Sequence, residues 1–66
     1  MTEEAINYIR RGIADQNTEV RRIAVESVGH MAPESRAKFK PDLLRLLANP
    51  NEDAAVRAVV ERVVQQ

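Results

Sequence analysis

An apolar stripe that occurs twice at a fixed offset limits what this chain can fold into more than any single residue does. Between Asp15 and Met31 the sequence DQNTEVRRIAVESVGHM opens with turn and cap residues, Asp15, Asn17 and Thr18. It continues into Val20, Ile23, Ala24, Ser27, Val28 and Met31. At about 100° per residue these side chains fall within roughly a third of a helix circumference, so the spacing predicts a helix with one face to bury. A weaker copy returns 36 positions later as NEDAAVRAVVERV, where Val56, Arg57, Val59, Val60 and Val63 stand where Val20, Arg21, Ile23, Ala24 and Ser27 stood. The two copies predict a short tandem repeat of helix pairs, each burying its apolar face against its neighbour.

The remaining segments fill in that frame. Thr2 is suited to an N-cap, with Glu3 and Glu4 placed where carboxylates favour the positive end of a helix dipole, so a first helix starts near residue 3. Ile6, Ile9 and Ile13 give it a narrow apolar face flanked by Ala5 and Gly12. Tyr8 lies about 120° from the centre of that face, which leaves it either a surface tyrosine or a contact to something outside the monomer. The second helix runs from about Glu19 to Met31. Its outward arc carries Arg22, Glu26 and Gly29, with Val25 and His30 on opposite shoulders.

Pro33 then ends the helix, because a residue before proline avoids the helical region. Residues 33–40 read as a connection in which Phe39, the only phenylalanine, turns inward to plug the core. Pro41 suits the first position of a short third helix, PDLLRLLAN, whose leucines cover more than half its circumference. Asn49, Pro50 and Asn51 break that helix, and Asn51 is positioned to cap a fourth. The segment VVERVV could be a strand by composition, but the spacing of Val56, Val59, Val60 and Val63 favours an amphipathic helix. The expected fold is all-α, two antiparallel helix hairpins stacked as a short α-solenoid in a single domain over 1–66. Repeat 1 covers about 3–32, the connection 33–40 and repeat 2 about 41–66. Its expected core is Ile9, Ile13, Ile23, Val28, Leu43, Leu47, Val56, Val60 and Val63.

Composition narrows the function. Ten Lys plus Arg balance ten Asp plus Glu, so no global field draws the molecule to nucleic acid or to an anionic surface. The chain has no cysteine, which removes disulfides and thiolate metal sites and points to a reducing, cytoplasmic compartment. The N-terminal residues MTEEAINYIRR lack the apolar stretch of a signal peptide, and no apolar run approaches the length of a membrane span. His30 is the only histidine, and no acid pair sits on an apolar face, so neither a nucleophile–base pair nor a ligand cluster can be assembled. Ser27, in mid-helix, reads as a hydroxyl bonded to the carbonyl one turn back. Gly12 and Gly29 are isolated, unlike the glycines of a phosphate loop. No catalytic, cofactor-binding or metal-binding residue is expected, and the chain reads as a non-enzyme.

Two such units resemble HEAT or HEAT-like repeats, in which a helix ends in apolar residues before a turn with Asp, then Val-Arg opens a second helix. Ile13, Asp15, Val20, Arg21 and Ala24 carry that pattern in the first unit. The resemblance implies a ladder in which the turn Asp and the Arg six positions later join neighbouring repeats, here Asp15 and Arg21. In the second unit the residue six before Arg57 is Asn51, the nearest acids are Glu52 and Asp53, and the turn is two residues longer. By the same resemblance the second helices would hold a protein partner, which nominates Arg22, Glu26, His30 and Arg62. Val25 and Val64, left over from the main stripes, are candidates for self-association into a homo-oligomer. Two further readings follow from the family. One is nucleic-acid backbone binding through Arg36, Lys38, Lys40 and Arg45 with Arg10 and Arg11, weakened by interspersed acids and the lack of interleaved aromatics. The other is an accessory subunit of an enzyme, as HEAT-like repeats serve in phycobilin lyases.

Overall fold

Four helices and no strand make up the structure, a computed structural model that describes residues 1–66. They are α1 (Glu3–Ile13), α2 (Thr18–Gly29), α3 (Pro33–Ala48) and α4 (Ala54–Val64). Each start has a local cause. The Thr2 hydroxyl accepts from the Ala5 N–H at 3.1 Å, and the Asn17 side chain accepts from Glu19 and Val20 at 2.9 and 3.1 Å. Asp53 accepts from Ala55 and Val56 at 2.9 and 3.2 Å. These are the N-cap bonds that satisfy otherwise orphaned donors. Asp53 therefore caps α4, in place of the expected Asn51.

The third helix differs most from expectation. Residues 33–40 are not a connection but the first half of α3, and Pro33, not Pro41, occupies the start. Pro41 sits inside the helix, where it removes one backbone donor and costs about 3 kcal/mol in an isolated helix. Packing outweighs that cost. Phe39 and Leu43 lie one turn apart on either side of Pro41, both are buried, and they join the core with Ile13, Val25, Val28, Val56, Val60 and Val63. The inward-turned Phe39 matches the sequence reading.

α2 is the central element: it touches α1, α3 and α4, while α1 and α4 do not meet. Its orientation departs from the repeated stripe. Val25, expected on the surface and nominated for self-association, is fully buried at 0% exposure, whereas Ile23, expected in the core, is 53% exposed. The buried direction is turned by roughly 100°, one residue position, from the centre of the apolar stripe. The reason lies in the partners. α2 packs on three helices, and Val25 and Val28 enter the core they share, leaving Val20, Ile23 and Ser27 in the open groove beside α1. Ile9 and Leu47 are half-buried and Leu44 is exposed, so α3 is not covered on two full sides.

Two close approaches set the helix spacing. A Cβ at Gly12 would meet the Ala24 Cβ at 3.1 Å, and one at Gly29 would meet a Val63 methyl at 3.0 Å. Gly12 lets α1 lie against α2, and Gly29 lets α2 lie against α4. Cα extents of 31 × 23 × 16 Å leave room for two layers of helices at the usual spacing of about 8–10 Å.

Candidate functional site

Three arrangements of side chains stand out, and each is fixed by the helix packing. The first is the contact between the two units. Arg21, four residues past the α2 cap, lies across the turn opening α4. Its guanidinium donates to both Glu52 oxygens, at 3.0 and 2.8 Å, and to the main-chain oxygens of Asp15 and Gln16, at 2.9 and 3.0 Å. Such a fork-to-carboxylate pair is geometrically specific. The Arg21 side chain is 17% exposed and that of Glu52 only 2%. Burial pushes the Glu52 carboxyl up, but the Arg21 hydrogen bonds and charge, with the Asp53 N–H, outweigh it and hold the group below its ordinary value of 4.5. The Arg21 guanidinium is raised, first by its hydrogen bond to Glu52 and against burial.

The side-chain pair of Asp15 and Arg21 expected from the resemblance does not form. Asp15 does not meet Arg21 through its carboxylate, which instead accepts from the Asn17 N–H at 2.8 Å. Asn51 contributes only its N–H, donated to the Asn49 side chain at 3.0 Å. Arg57 reaches the Asn49 main-chain oxygen at 3.0 Å, as Arg21 reaches that of Asp15. Asn49, not Asn51, is the counterpart of Asp15, and Glu52 is the acid that meets Arg21. The longer second turn was the available signal: Asn49 follows if the count starts from the end of α3.

The second arrangement gathers three of the nominated partner-binding residues. Glu26, His30 and Arg62 line one depression with Gly29 and Gln66, where α2 and α4 run side by side. Arg62 bonds to Glu26, and Arg22 bonds to Glu19 at 2.6 Å and to Glu26 at 3.4 Å. The Arg22 hydrogen bond and charge hold Glu19 below its ordinary value, and Glu19 in turn raises Arg22. The strip is neutralised within itself, and only His30 is exposed without an ion pair. Val64, the other self-association candidate, is half-buried at a separate depression with Pro33, Arg36 and Lys40.

The third arrangement was not nominated as a site. Tyr8 and Gly12 of α1 with Val20, Ile23, Ala24 and Ser27 of α2 line an open groove of about 420 Å³. Tyr8 is 72% and Val20 40% exposed. Ser27 donates to the Ile23 carbonyl at 3.1 Å, which leaves the groove floor largely apolar. Tyr8 was legible as an external contact, but Ile23 is expected in the core and Val20 on the same buried stripe, because periodicity identifies an apolar face without naming what it faces.

The basic residues considered for nucleic acid are dispersed. Arg10 bonds to buried Asp42 at 3.1 Å and to the Lys38 carbonyl and lies 5.7 Å from the Phe39 ring, Arg36 bonds to the Met31 carbonyl, and Arg45 approaches Asp42. No three His, Asp or Glu side chains converge as a metal site requires. No helix is long and apolar enough to cross a membrane. No protein-family model, curated protein or solved structure matches the chain.

Proposed function

We propose that this chain is a non-catalytic protein-interaction module, a scaffold or adaptor of two HEAT-like helix pairs, that takes a protein partner on the outer face of α1 and α2. The observation that carries the reading is a concentration of apolar surface. Of the five large hydrophobic residues left exposed, Tyr8, Val20 and Ile23 share one groove. Apolar side chains gathered in one place, rimmed by Arg11 and Asp15, have the character of protein-docking surfaces. A tyrosine at such a site offers both contact area and a hydrogen-bonding hydroxyl. The polar strip of Arg22, Glu26, His30 and Arg62 is the weaker candidate, because three of its four charged or titratable members are already paired with one another. Further support for the repeat reading is the equivalence of the two turns and the Arg21–Glu52 bond between units. The lack of cysteine suits an intracellular, cytoplasmic setting.

The test is site-specific photo-crosslinking in the cell of origin, with a photoreactive residue at Tyr8 or, as control, at exposed Glu61 on α4. Protein adducts from position 8 that are absent from position 61 are expected. The same adducts from both positions, or none from either, would overturn the reading.

A further inference from the structure

The two units of the chain bury equivalent faces differently. On α4, Val56, Val60 and Val63 are buried, and α2 packs against that helix, with Gly29 at the Val63 methyl. The corresponding positions on α2, 36 residues earlier, are Val20, Ala24 and Ser27. They line the open groove with Tyr8 and Ile23. The groove is thus the counterpart of the face that, one unit later, is buried in the core beside a neighbouring helix. From this equivalence and the chemistry of the surface we infer that the groove takes a second copy of the chain, docked about a two-fold axis, groove against groove. This inference rests on the reading of the groove as a protein-docking surface and names its occupant.

The symmetric arrangement follows from what the second copy can offer. Head-to-tail stacking would use the outer face of α4, where Arg57, Glu61 and Val64 stand in place of Arg21, Val25 and Val28. Glu61 would then lie where the core has fully buried Val25, and burying a carboxylate there costs more than burying a valine even if it reaches a rim cation. The outer face of α4 is therefore polar at the position that such stacking would have to bury. The apolar helix face still open on the second copy is its own α1–α2 groove. A two-fold axis pairs Val20, Ile23 and Tyr8 with themselves and closes the assembly at two copies. The rim carries one cation and one anion, Arg11 and Asp15, so rim against rim is neutral and each Arg11 has an acid within the opposing rim. A standard interface of about 800 Å² per partner would take roughly a fifth of the 4374 Å² surface. On so small a molecule an interface confined to two helices gives a weak dimer.

The experiment is analytical ultracentrifugation of the wild-type chain across roughly 1 to 500 μM, the range in which small interfaces half-dissociate. Ile23→Glu, Tyr8→Glu and Glu61→Lys are run beside it, with circular dichroism of each. Wild type and Glu61→Lys should pass from monomer to dimer as concentration rises. Ile23→Glu and Tyr8→Glu, on different helices and both at exposed positions, should keep their helicity and remain monomeric throughout. A wild-type monomer over the whole range, species larger than a dimer, or dimers of both groove variants would overturn the inference. Crosslinking from position 8 separates this failure from that of the interaction reading. Homodimer adducts support self-docking. Adducts only to another protein defeat self-docking and leave the module reading standing, and no adduct at all defeats both.

Discussion

The turn that opens α2 and the turn that opens α4 are built from the same parts, and the way they differ explains how the two units are joined. In each, an Asx side chain accepts the N–H two residues on, Asp15 from Asn17 and Asn49 from Asn51. In each, an N-cap, Asn17 or Asp53, precedes by four residues an arginine that donates back to the Asx carbonyl. Two positions separate Asp15 from its cap, whereas four separate Asn49 from Asp53. The extra length carries Glu52, the residue that crosses to the first unit. The repeat is least regular where it makes a new contact, because a turn closed on itself leaves no side chain to reach its neighbour.

This asymmetry should dominate the response to mutation. Arg21 has a carboxylate across the interface, whereas Arg57 holds only its own turn. Removing one partner of a deeply buried ion pair costs about 3–5 kcal/mol, and partial access to water at the turn edge lowers that. Arg21→Ala should therefore destabilise by ~2–4 kcal/mol, because it strands the nearly inaccessible Glu52 carboxylate. Glu52→Ala should cost somewhat less, ~1.5–3 kcal/mol, since Arg21 keeps two main-chain oxygens and some contact with water. Arg57→Ala should cost only about 1 kcal/mol, and Arg22→Ala should leave the melting midpoint nearly unchanged. Thermal melts at neutral pH give the order, and equal losses at Arg21 and Arg57 would break the comparison.

Acid should remove the same contribution. The folded-state value of Glu52 lies below its ordinary 4.5, so its stabilisation is fully present above that ordinary value and is lost as pH falls through the folded one. The stability difference between wild type and Glu52→Gln should be constant from neutral pH down to about 5 and shrink in more acidic solution. A difference that grew on acidification would contradict the depressed value.

How much of this was legible in the sequence depends on whether a residue's role is local. The helical class, the α1 start at Thr2, the valine helix α4 and the inward Phe39 were all readable from spacing and cap chemistry. What failed required knowledge of neighbours. Pro33 and Pro41 both suit a helix start, and only the burial of Phe39 and Leu43 on both sides of Pro41 shows that the second proline lies mid-helix. The α2 stripe was real, but the core took Val25 and Val28 in preference to Ile23, and no periodicity encodes that choice. The groove depended on neighbours in the same way: Ile23 was expected in the core, yet it lines the open face with Tyr8 and Val20.

The two faces give a second contrast of intermediate size. Val56 and Val20 are equivalent positions in the repeat, one fully buried and the other at the groove. Val56→Ala removes two methyl groups from a packed site, worth ~2–3 kcal/mol, partly offset by the better helix propensity of alanine. Val20→Ala should change stability by less than about 0.5 kcal/mol, since little burial is lost and the same propensity is gained. Both are to be measured by urea denaturation at low micromolar concentration. A large loss at Val20 would mean that the first unit is packed as tightly as the second.

The smallest expected effect tests whether the two turns are equivalent at all. Asp15→Ala and Asn49→Ala each delete a single side-chain acceptor in an exposed turn and leave in place the main-chain oxygen to which Arg21 or Arg57 donates. Each should therefore cost only ~0.5–1 kcal/mol, by the usual net worth of one hydrogen bond near water. The aspartate carries a charge that its counterpart lacks, and that charge is the smallest of the contributions favouring protonated Arg21. Asp15→Asn, which keeps the acceptor and removes the charge, should consequently be almost silent. If the resemblance to an Asp–Arg ladder held literally, the carboxylate of Asp15 would matter far more than the amide of Asn49. A loss of 2 kcal/mol or more at Asp15 beside none at Asn49 would then return the ladder to Asp15 and remove Glu52 from the role that the structure gives it.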